Sequence, residues 1–260
     1  MSLWILLILC VVQGLTEFLP VSSSGHLLFF EQVFGVTENL MFLNLFLHLA
    51  TLLAVVIVYR KTILNLIKKP FQAYTYKLIL ATLFSVILAF VYEFSGVDKV
   101  ITKIYPFAFL LTSILLFMCH LFQKKAVAFN TNEISVKNSI IVGIVQGFAV
   151  VPGLSRSGST ISSLILTGND EKSSAEFSFL LSIPIIVGGF VLELIQLNKS
   201  GLSFESVSIG SYFLAFLLTF IDALIALKIT LKILKNHKFI IFSIYTFVMF
   251  IVTFVFNYVI

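Results

Sequence analysis

The sequence predicts an all-α integral membrane protein, with about six transmembrane helices plus two re-entrant helix-loop-helix segments in inverted-topology repeats. All of it falls in a single membrane domain over residues 1–260. Composition is the first ground: 59% of the residues are hydrophobic and 11% charged, whereas a soluble domain carries about a quarter charged residues. Six apolar stretches, each near the ~20 residues that a spanning helix needs in hydrocarbon, are the second. The third is a pair of apolar regions, 1–35 and 138–168, that are broken by Gly, Pro and Ser and resemble each other at the break.

In chain order, residues 3–12 are almost entirely apolar, and then "QGLTEFLPVSSSGH" (13–26) interrupts them with a glutamate, three serines and a histidine. No Lys or Arg precedes the apolar run, so residues 1–25 are expected to be retained, although Ser22–Gly25 imitates a signal-peptidase site. Spans follow at 41–59, 74–94 and 104–122. A basic loop at 60–77 carries Arg60, Lys61, Lys68, Lys69 and Lys77, and a second at 123–137 carries Lys124, Lys125 and Lys137. After the broken region 138–168 come spans at 177–196, 210–230 and 238–258, the last two separated by Lys228, Lys232, Lys235 and Lys238. The other loops hold only Lys99, Lys103, Lys172 and Lys199.

Basic loops face the cytoplasm, so an even number of crossings separates them. That condition lets region 138–168 cross zero or two times, and its apolar pieces are too short for two crossings of about 30 Å. It is therefore expected to dip in and return. Gln13-Gly14 recurs as Gln146-Gly147, 133 positions later, and at the same offset Ser22 maps to Ser155, Ser24 to Ser157 and Gly25 to Gly158. Pro20 and Pro152 are out of register by one. The halves are thus near 1–130 and 134–260, region 1–35 dips from the opposite face, and both termini are expected outside. Inverted halves with broken helices suit membrane proteins that handle charged ligands, and irregular backbone at that depth needs protein or a wet cavity around it. The net charge of +5 sits in short loops and sets topology, which argues against nucleic acid as a partner. Cys10 and Cys119 lie in apolar segments without metal-ligand spacing and read as small hydrophobes.

Between Lys137 and Lys172 the only charged residue is Arg156, within "VPGLSRSGST". An arginine at membrane depth costs at least ~2.5–3.5 kcal/mol, so it needs a partner or a wet pocket, and its planar fork suits two phosphate oxygens. Ser155, Ser157, Ser159 and Thr160 surround it, and Gly153 and Gly158 leave backbone N–H groups accessible at a helix start, which makes an anion cradle. The competing reading pairs Arg156 with Glu17 or Asp222 for packing alone. Gln13 and Glu17 are one turn apart and share a helix face. Beside a phosphate they could hold a hard divalent cation, Mg²⁺ or Ca²⁺; otherwise Glu17 snorkels or caps. His26 offers a general acid, general base or nucleophile. His48 and Asn44 share a face and either line the cavity or hydrogen-bond between helices.

"QGLTEFLPVSSSGH" and "VPGLSRSGST" closely resemble the two hallmark motifs of the undecaprenyl-diphosphate phosphatases, the bacitracin-resistance type of bacterial membrane enzyme. "LHLATLLAVVIVYR" and "AEFSFLLSIPIIVGG" also resemble family segments, in the expected order. The resemblance implies hydrolysis of undecaprenyl diphosphate to the monophosphate carrier used in cell-wall synthesis, with a divalent cation, at the outer face of the bacterial cytoplasmic (inner) membrane. The implied partners are a polyprenyl diphosphate lipid and the bilayer, with a homodimer compatible. The family's Glu/Gln-x-x-x-Glu motif falls on Gln13 and Glu17 as metal ligands. Its serine and histidine motif falls on Ser22, Ser23, Ser24, Gly25 and His26, and its arginine motif on Pro152, Gly153, Ser155, Arg156, Ser157, Gly158 and Thr160. Glu17, Ser23, His26 and Arg156 are the implied catalytic set, the other serines, glycines and Thr160 the phosphate-binding set. Asn44 stands where the family often has an acid and is assigned no role. The nucleophile stays open between Ser23 activated by His26, His26 itself, and a water that His26 activates. A polyprenyl-phosphate flippase or transporter is the competing class; an acid, serine and histidine in one half with an arginine in the other is a division that chemistry needs and gating does not.

Overall fold

The structure is a computed structural model that describes residues 2–36, 40–96, 100–126, 133–200 and 209–259, and these form eleven α-helices without a β-strand. Lys99 and the loop residues 127–132 lie outside the described residues. In the first half run α1 (Leu3–Thr16), α2 (Ser23–Val33), α3 (Met41–Val58), α4 (Arg60–Lys68), α5 (Ala73–Ser95) and α6 (Ile101–Ala126). The second half holds α7 (Val136–Phe148), α8 (Arg156–Leu166), α9 (Glu171–Ser200), α10 (Ile209–Lys235) and α11 (Phe239–Tyr258).

Among the described residues, five helices are long and apolar enough to cross a bilayer, within α5, α6, α9, α10 and α11. A sixth crossing arises if α3 is counted together with α4, from which it is bent by 78°. Both broken regions are helix–break–helix, as the sequence indicated. The α1 helix starts where Ser2 Oγ accepts the Ile5 N–H at 3.4 Å and stops before Pro20, because proline lacks an N–H and restricts the residue before it. Ser135 caps α7 in the same way, accepting the Asn138 N–H at 3.0 Å, and that helix stops before Pro152. With 14 and 13 residues, α1 and α7 reach only about 20 Å at 1.5 Å per residue, short of the bilayer core.

One element departs from the sequence reading. The stretch expected to be a basic loop, 60–77, contains the amphipathic helix α4. Its basic residues mask an apolar stripe that includes Ile63 and Leu66, and Thr62 Oγ1 ties it to α9 by donating to Glu176 Oε1 at 3.0 Å.

Packing interleaves the halves. The short helix α1 lies on α10, and its counterpart α7 lies on α5, so each broken segment rests on a span from the other half. Small residues permit this approach: a Cβ on Gly14 would sit 2.7 Å from Asp222 Cβ, and one on Gly143 2.4 Å from Ala81 O. The α6 and α11 helices pair through reciprocal bonds, Ser113 Oγ to Ser243 O at 2.8 Å and Ser243 Oγ to Ser113 O at 2.9 Å. The largest buried cluster among the described residues gathers Phe18 and Val21 of the first break, Ile161 and Ile165 of α8, and Leu116, Ala223 and Leu227 of the supporting spans. The outward faces are apolar, for example Ile79, Leu83, Ile87 and Val91 on α5, and Ile244, Val248, Ile251 and Val255 on α11. That spacing suits a lipid-facing stripe.

Two glycine substitutions separate packing from propensity. Gly143→Ala forces a methyl into the α5 backbone and should cost about 1–3 kcal/mol. Gly188→Ala meets open space and should be neutral or stabilising by up to about 1 kcal/mol. Thermal unfolding midpoints in detergent check both.

Candidate active site

The two helix breaks, residues 17–22 and 149–155, are pressed against each other. Ser22 is the joint: its Oγ accepts the Gly25 N–H of its own helix at 3.3 Å and the Gly153 N–H of the opposite break at 3.0 Å. It adopts φ 71°, a conformation rare for a residue with a side chain and sustained only by surrounding contacts. Ser157 Oγ returns a bond to Leu19 O at 3.1 Å. A Cβ on Gly25 would lie 2.6 Å from Gly153 N, and one on Gly153, at φ +90°, 2.2 Å from Tyr105 O. Thr112 of α6 fixes the second break from below, with its Oγ1 2.9 Å from Gly153 O and accepting the Ser155 N–H at 2.9 Å.

Above this joint opens a cavity of about 260 Å³. Its polar side is formed by Glu17, Ser22, Ser23, Ser24, Ser155 and Arg156, joined by Gln146 and His48; Leu45, Ile185, Ile186 and Phe190 make an apolar wall. Glu17 and Arg156, 139 positions apart, form an ion pair in which Arg156 Nη2 donates to Glu17 Oε1. Glu17 Oε2 accepts from Ser23 Oγ at 2.6 Å and from Gln13 Nε2 at 2.9 Å. The carboxylate side chain is 1% exposed and the guanidinium side chain 19%.

The pairing that the sequence raised as a packing device is therefore present, but it leaves the guanidinium incomplete. Arg156 Nη1 is buried without a hydrogen-bond partner. Buried polar atoms normally have a hydrogen-bond partner, so this nitrogen suits an oxygen ligand. The first residues of α8 add an anion-favouring helix N-terminus, with Ser155 Oγ capping the Gly158 N–H at 3.0 Å.

Several implied site residues serve the scaffold instead of the cavity. His26 does not line it. The His26 Nδ1 lies 2.7 Å from Ser22 O, which can only accept, so Nδ1 carries the hydrogen; Nε2 then accepts from Tyr245 OH at 2.7 Å in the neutral ring. Phe109 packs edge-on, and the residue is 2% exposed. Of the three nucleophile schemes left open, activation of Ser23 by His26 is the one without a matching contact among the described residues: Ser23 Oγ donates to Glu17, and both His26 nitrogens are engaged elsewhere. Gly25, Gly153 and Gly158 lie outside the cavity lining, and their missing side chains are what lets the breaks touch; a Cβ on Gly158 would lie 3.1 Å from Pro20 Cβ. Thr160 Oγ1 donates to Arg156 O at 2.7 Å and pairs with Ser178 Oγ at 2.6 Å. Ser157 borders only a small void of about 10 Å³ behind the ion pair.

His48 is the histidine on the cavity wall. Its Nδ1 donates to the backbone Asn44 O at 2.8 Å, which leaves Nε2 as the acceptor in the neutral ring. Gln146, Tyr245 and Thr112 received no site role from the sequence; Gln146 was visible there only as a marker of the repeat. For a hard cation, the donors present are oxygens of the right kind. Gln13 Oε1 is buried and unpartnered and Glu17 Oε1 retains a lone pair, while no cluster of three His, Cys, Asp or Glu occurs among the described residues. Such a set fits a cation that takes its remaining ligands from phosphate and water.

Comparison with known proteins places the chain beside named relatives. A family profile described as bacitracin resistance protein BacA matches residues 6–252. The chain is 34% identical over 244 residues to an undecaprenyl-diphosphatase of Carboxydothermus hydrogenoformans, covering 94% of this chain and 93% of that protein. It is also 34% identical over 257 residues to an undecaprenyl-diphosphatase of Thermosipho africanus (95% and 98%) and 35% identical over 240 residues to undecaprenyl-diphosphatase 4 of Bacillus cereus (92% and 91%).

Removing one partner of the ion pair should strand a buried charge. Glu17→Ala is expected to destabilise by about 3–5 kcal/mol, while Glu17→Ala combined with Arg156→Met should recover most of that loss. Unfolding midpoints of the single and double variants in detergent check this.

Proposed function

The chain belongs to the family of bacitracin resistance protein BacA, and from that membership and the cavity we infer that it is a membrane hydrolase. It hydrolyses undecaprenyl diphosphate to undecaprenyl phosphate and inorganic phosphate. That activity recycles the lipid carrier for cell-wall synthesis and underlies bacitracin resistance. The observation that carries the reading is the Ser23–Glu17–Arg156 array in a cavity with one polar and one apolar wall.

Phosphoryl transfer depends mostly on positioning and charge stabilisation, and each residue here supports one part. The free Nη1 of Arg156 and the N–H groups opening α8 hold the terminal phosphate, while the apolar wall receives the start of the prenyl chain. Ser23 attacks the terminal phosphorus as its proton passes to Glu17 Oε2, already 2.6 Å away. The bond from that phosphorus to the bridging oxygen breaks, and the departing lipid monophosphate takes the proton from Glu17, which returns to the carboxylate. Water then attacks the phosphoserine, giving its proton to Glu17, and Glu17 passes that proton to Ser23 Oγ as the bond to phosphorus breaks and inorganic phosphate leaves. His26 holds the Ser22 turn against Tyr245 and has no part in proton transfer. A divalent cation, Mg²⁺ or Ca²⁺, held by Gln13 and Glu17 with the substrate's oxygens, would neutralise phosphate charge.

Orientation belongs to the same proposal. The cavity uses the first half of α3 and the second half of α9, whereas the far ends of those helices lead to basic α4 and to the His237–Glu171 contact at 2.7 Å. With basic ends inside, the cavity opens toward the outer face of the bacterial inner membrane, and both termini lie outside. The exchange of α1 and α7 between halves supports inverted repeats near 1–130 and 134–260 with re-entrant breaks. Glu17, Ser23 and Arg156 all come from one chain, so this array draws on no residue of a second copy.

Detergent-purified protein should release inorganic phosphate from undecaprenyl diphosphate. Ser23→Ala and Glu17→Gln are expected to lower kcat by about 10²–10⁴-fold, and acid-quenched wild type should yield phosphoserine. Tyr245→Phe should cost about 1 kcal/mol of stability and leave kcat nearly unchanged. Phosphohistidine, or a loss of turnover in Tyr245→Phe matching that in Ser23→Ala, would contradict the assignment.

A further inference from the structure

Gln146 lines the cavity, is 3% exposed, and has no role in the mechanism above. Its Nε2 donates to Ser85 Oγ on α5 at 3.2 Å. The single hydroxyl hydrogen of Ser85 is already directed at Ala81 O (2.8 Å) and Gly143 O (2.9 Å), so Ser85 can only accept from Gln146. This fixes the amide with its nitrogen on α5 and its oxygen turned away. That oxygen, Oε1, is buried and has no partner. Gln13, its counterpart in the repeat, shows the same pattern: the nitrogen is committed to Glu17 and the oxygen unpartnered.

Gln146 lines the cavity while its buried acceptor has no partner; such an acceptor calls for a ligand, and the chemistry limits which. An ionised diphosphate presents acceptor oxygens only, so it suits Arg156 Nη1 and would repel an amide oxygen. Gln146 Oε1 needs an electropositive group, and the hard divalent cation that accompanies a diphosphate prefers neutral and anionic oxygens. Glu17 has limited capacity for it: Oε2 already takes two hydrogen bonds and Oε1 takes Arg156.

We propose that Gln146 is a ligand of the divalent cation, bound through Oε1 and oriented by Ser85, so that the cation site draws on both halves of the chain. The phosphatase reading enters only in supplying the diphosphate. One carboxylate, shared with an arginine, carries little charge, so the cation binds tightly only with the diphosphate in place.

The test uses full-length protein in detergent, Mn²⁺ as the probe and methylenediphosphonate as a non-hydrolysable diphosphate, with bound Mn²⁺ followed by electron paramagnetic resonance. Wild type should bind Mn²⁺ more tightly when the diphosphonate is present. Gln146→Ala should weaken that binding by at least about tenfold, and Gln146→Glu, which keeps an oxygen at the same place, should restore it. Ser85→Ala, which frees the amide to rotate, should give an intermediate loss. Unfolding midpoints confirm that each variant is folded. Equal Mn²⁺ affinity in wild type and folded Gln146→Ala, or no diphosphonate-dependent Mn²⁺ binding in wild type, would overturn the proposal. If Mn²⁺ binding follows Gln146 but the wild type releases no phosphate from undecaprenyl diphosphate, the phosphatase reading fails while the cation site stands.

Discussion

The structure depends on the contact between two interrupted helices. Neither α1–α2 nor α7–α8 is a stable object in hydrocarbon alone, because each break exposes backbone groups that lipid cannot satisfy. Each supplies what the other lacks. The Gly153 N–H finds Ser22 Oγ, Leu19 O finds Ser157 Oγ, and the absence of a side chain at Gly25 and Gly153 lets the two backbones come close enough for both bonds. The strained φ of Ser22 persists because contacts on both sides determine it.

From that joint the electrostatics follow. A lone arginine in the membrane is costly, and so is a lone glutamate; brought to opposite sides of one joint, they offset much of each other's desolvation. The pair is deliberately short of saturation in hydrogen-bonding terms: Glu17 is nearly full, with Ser23, Gln13 and Arg156 on it, whereas Arg156 keeps Nη1 open. A buried charge that is partly but not wholly satisfied is a binding site for the opposite charge. The apolar wall of Leu45, Ile186 and Phe190 beside it is what an amphiphilic diphosphate would need and a soluble phosphate ester would not.

Much of this could be read from the sequence, for physical reasons. Apolar runs of spanning length announce helices directly, and polar residues inside them are costly enough that Glu17 and Arg156 were legible as site residues before any geometry. The repeat relationship of the two breaks that carry them implied that they meet. The rest required three dimensions. His26 stands three residues after Ser23, and chain proximity left open whether it activates Ser23, attacks itself or activates a water; in the fold the Ser22 carbonyl and Tyr245, 219 positions away, engage its ring. Gly153 and Gly158 implied open N–H groups, but glycine equally marks close backbone approach, and at these two, as at Gly25, packing decides. The α4 helix was hidden because its lysines carry the topology signal in the same residues that carry its helical periodicity. Gln146 looked like a repeat marker because its importance lies in Ser85, a partner on another span.

The most direct measurement of the central claim is the distance across the joint between guanidinium and carboxylate. The chain has two arginines, Arg60 and Arg156, and Arg60 donates to the backbone Ile57 O. Solid-state NMR dipolar recoupling in lipid, with ¹⁵N-labelled arginine and ¹³Cδ-labelled glutamate, therefore isolates Arg156. The account predicts strong dephasing from an N–C separation of about 4 Å, as hydrogen-bonded arginine–carboxylate geometry requires, and its loss in Arg156→Lys. No dephasing in the wild-type protein would mean that the two breaks do not meet, and the site described would not exist.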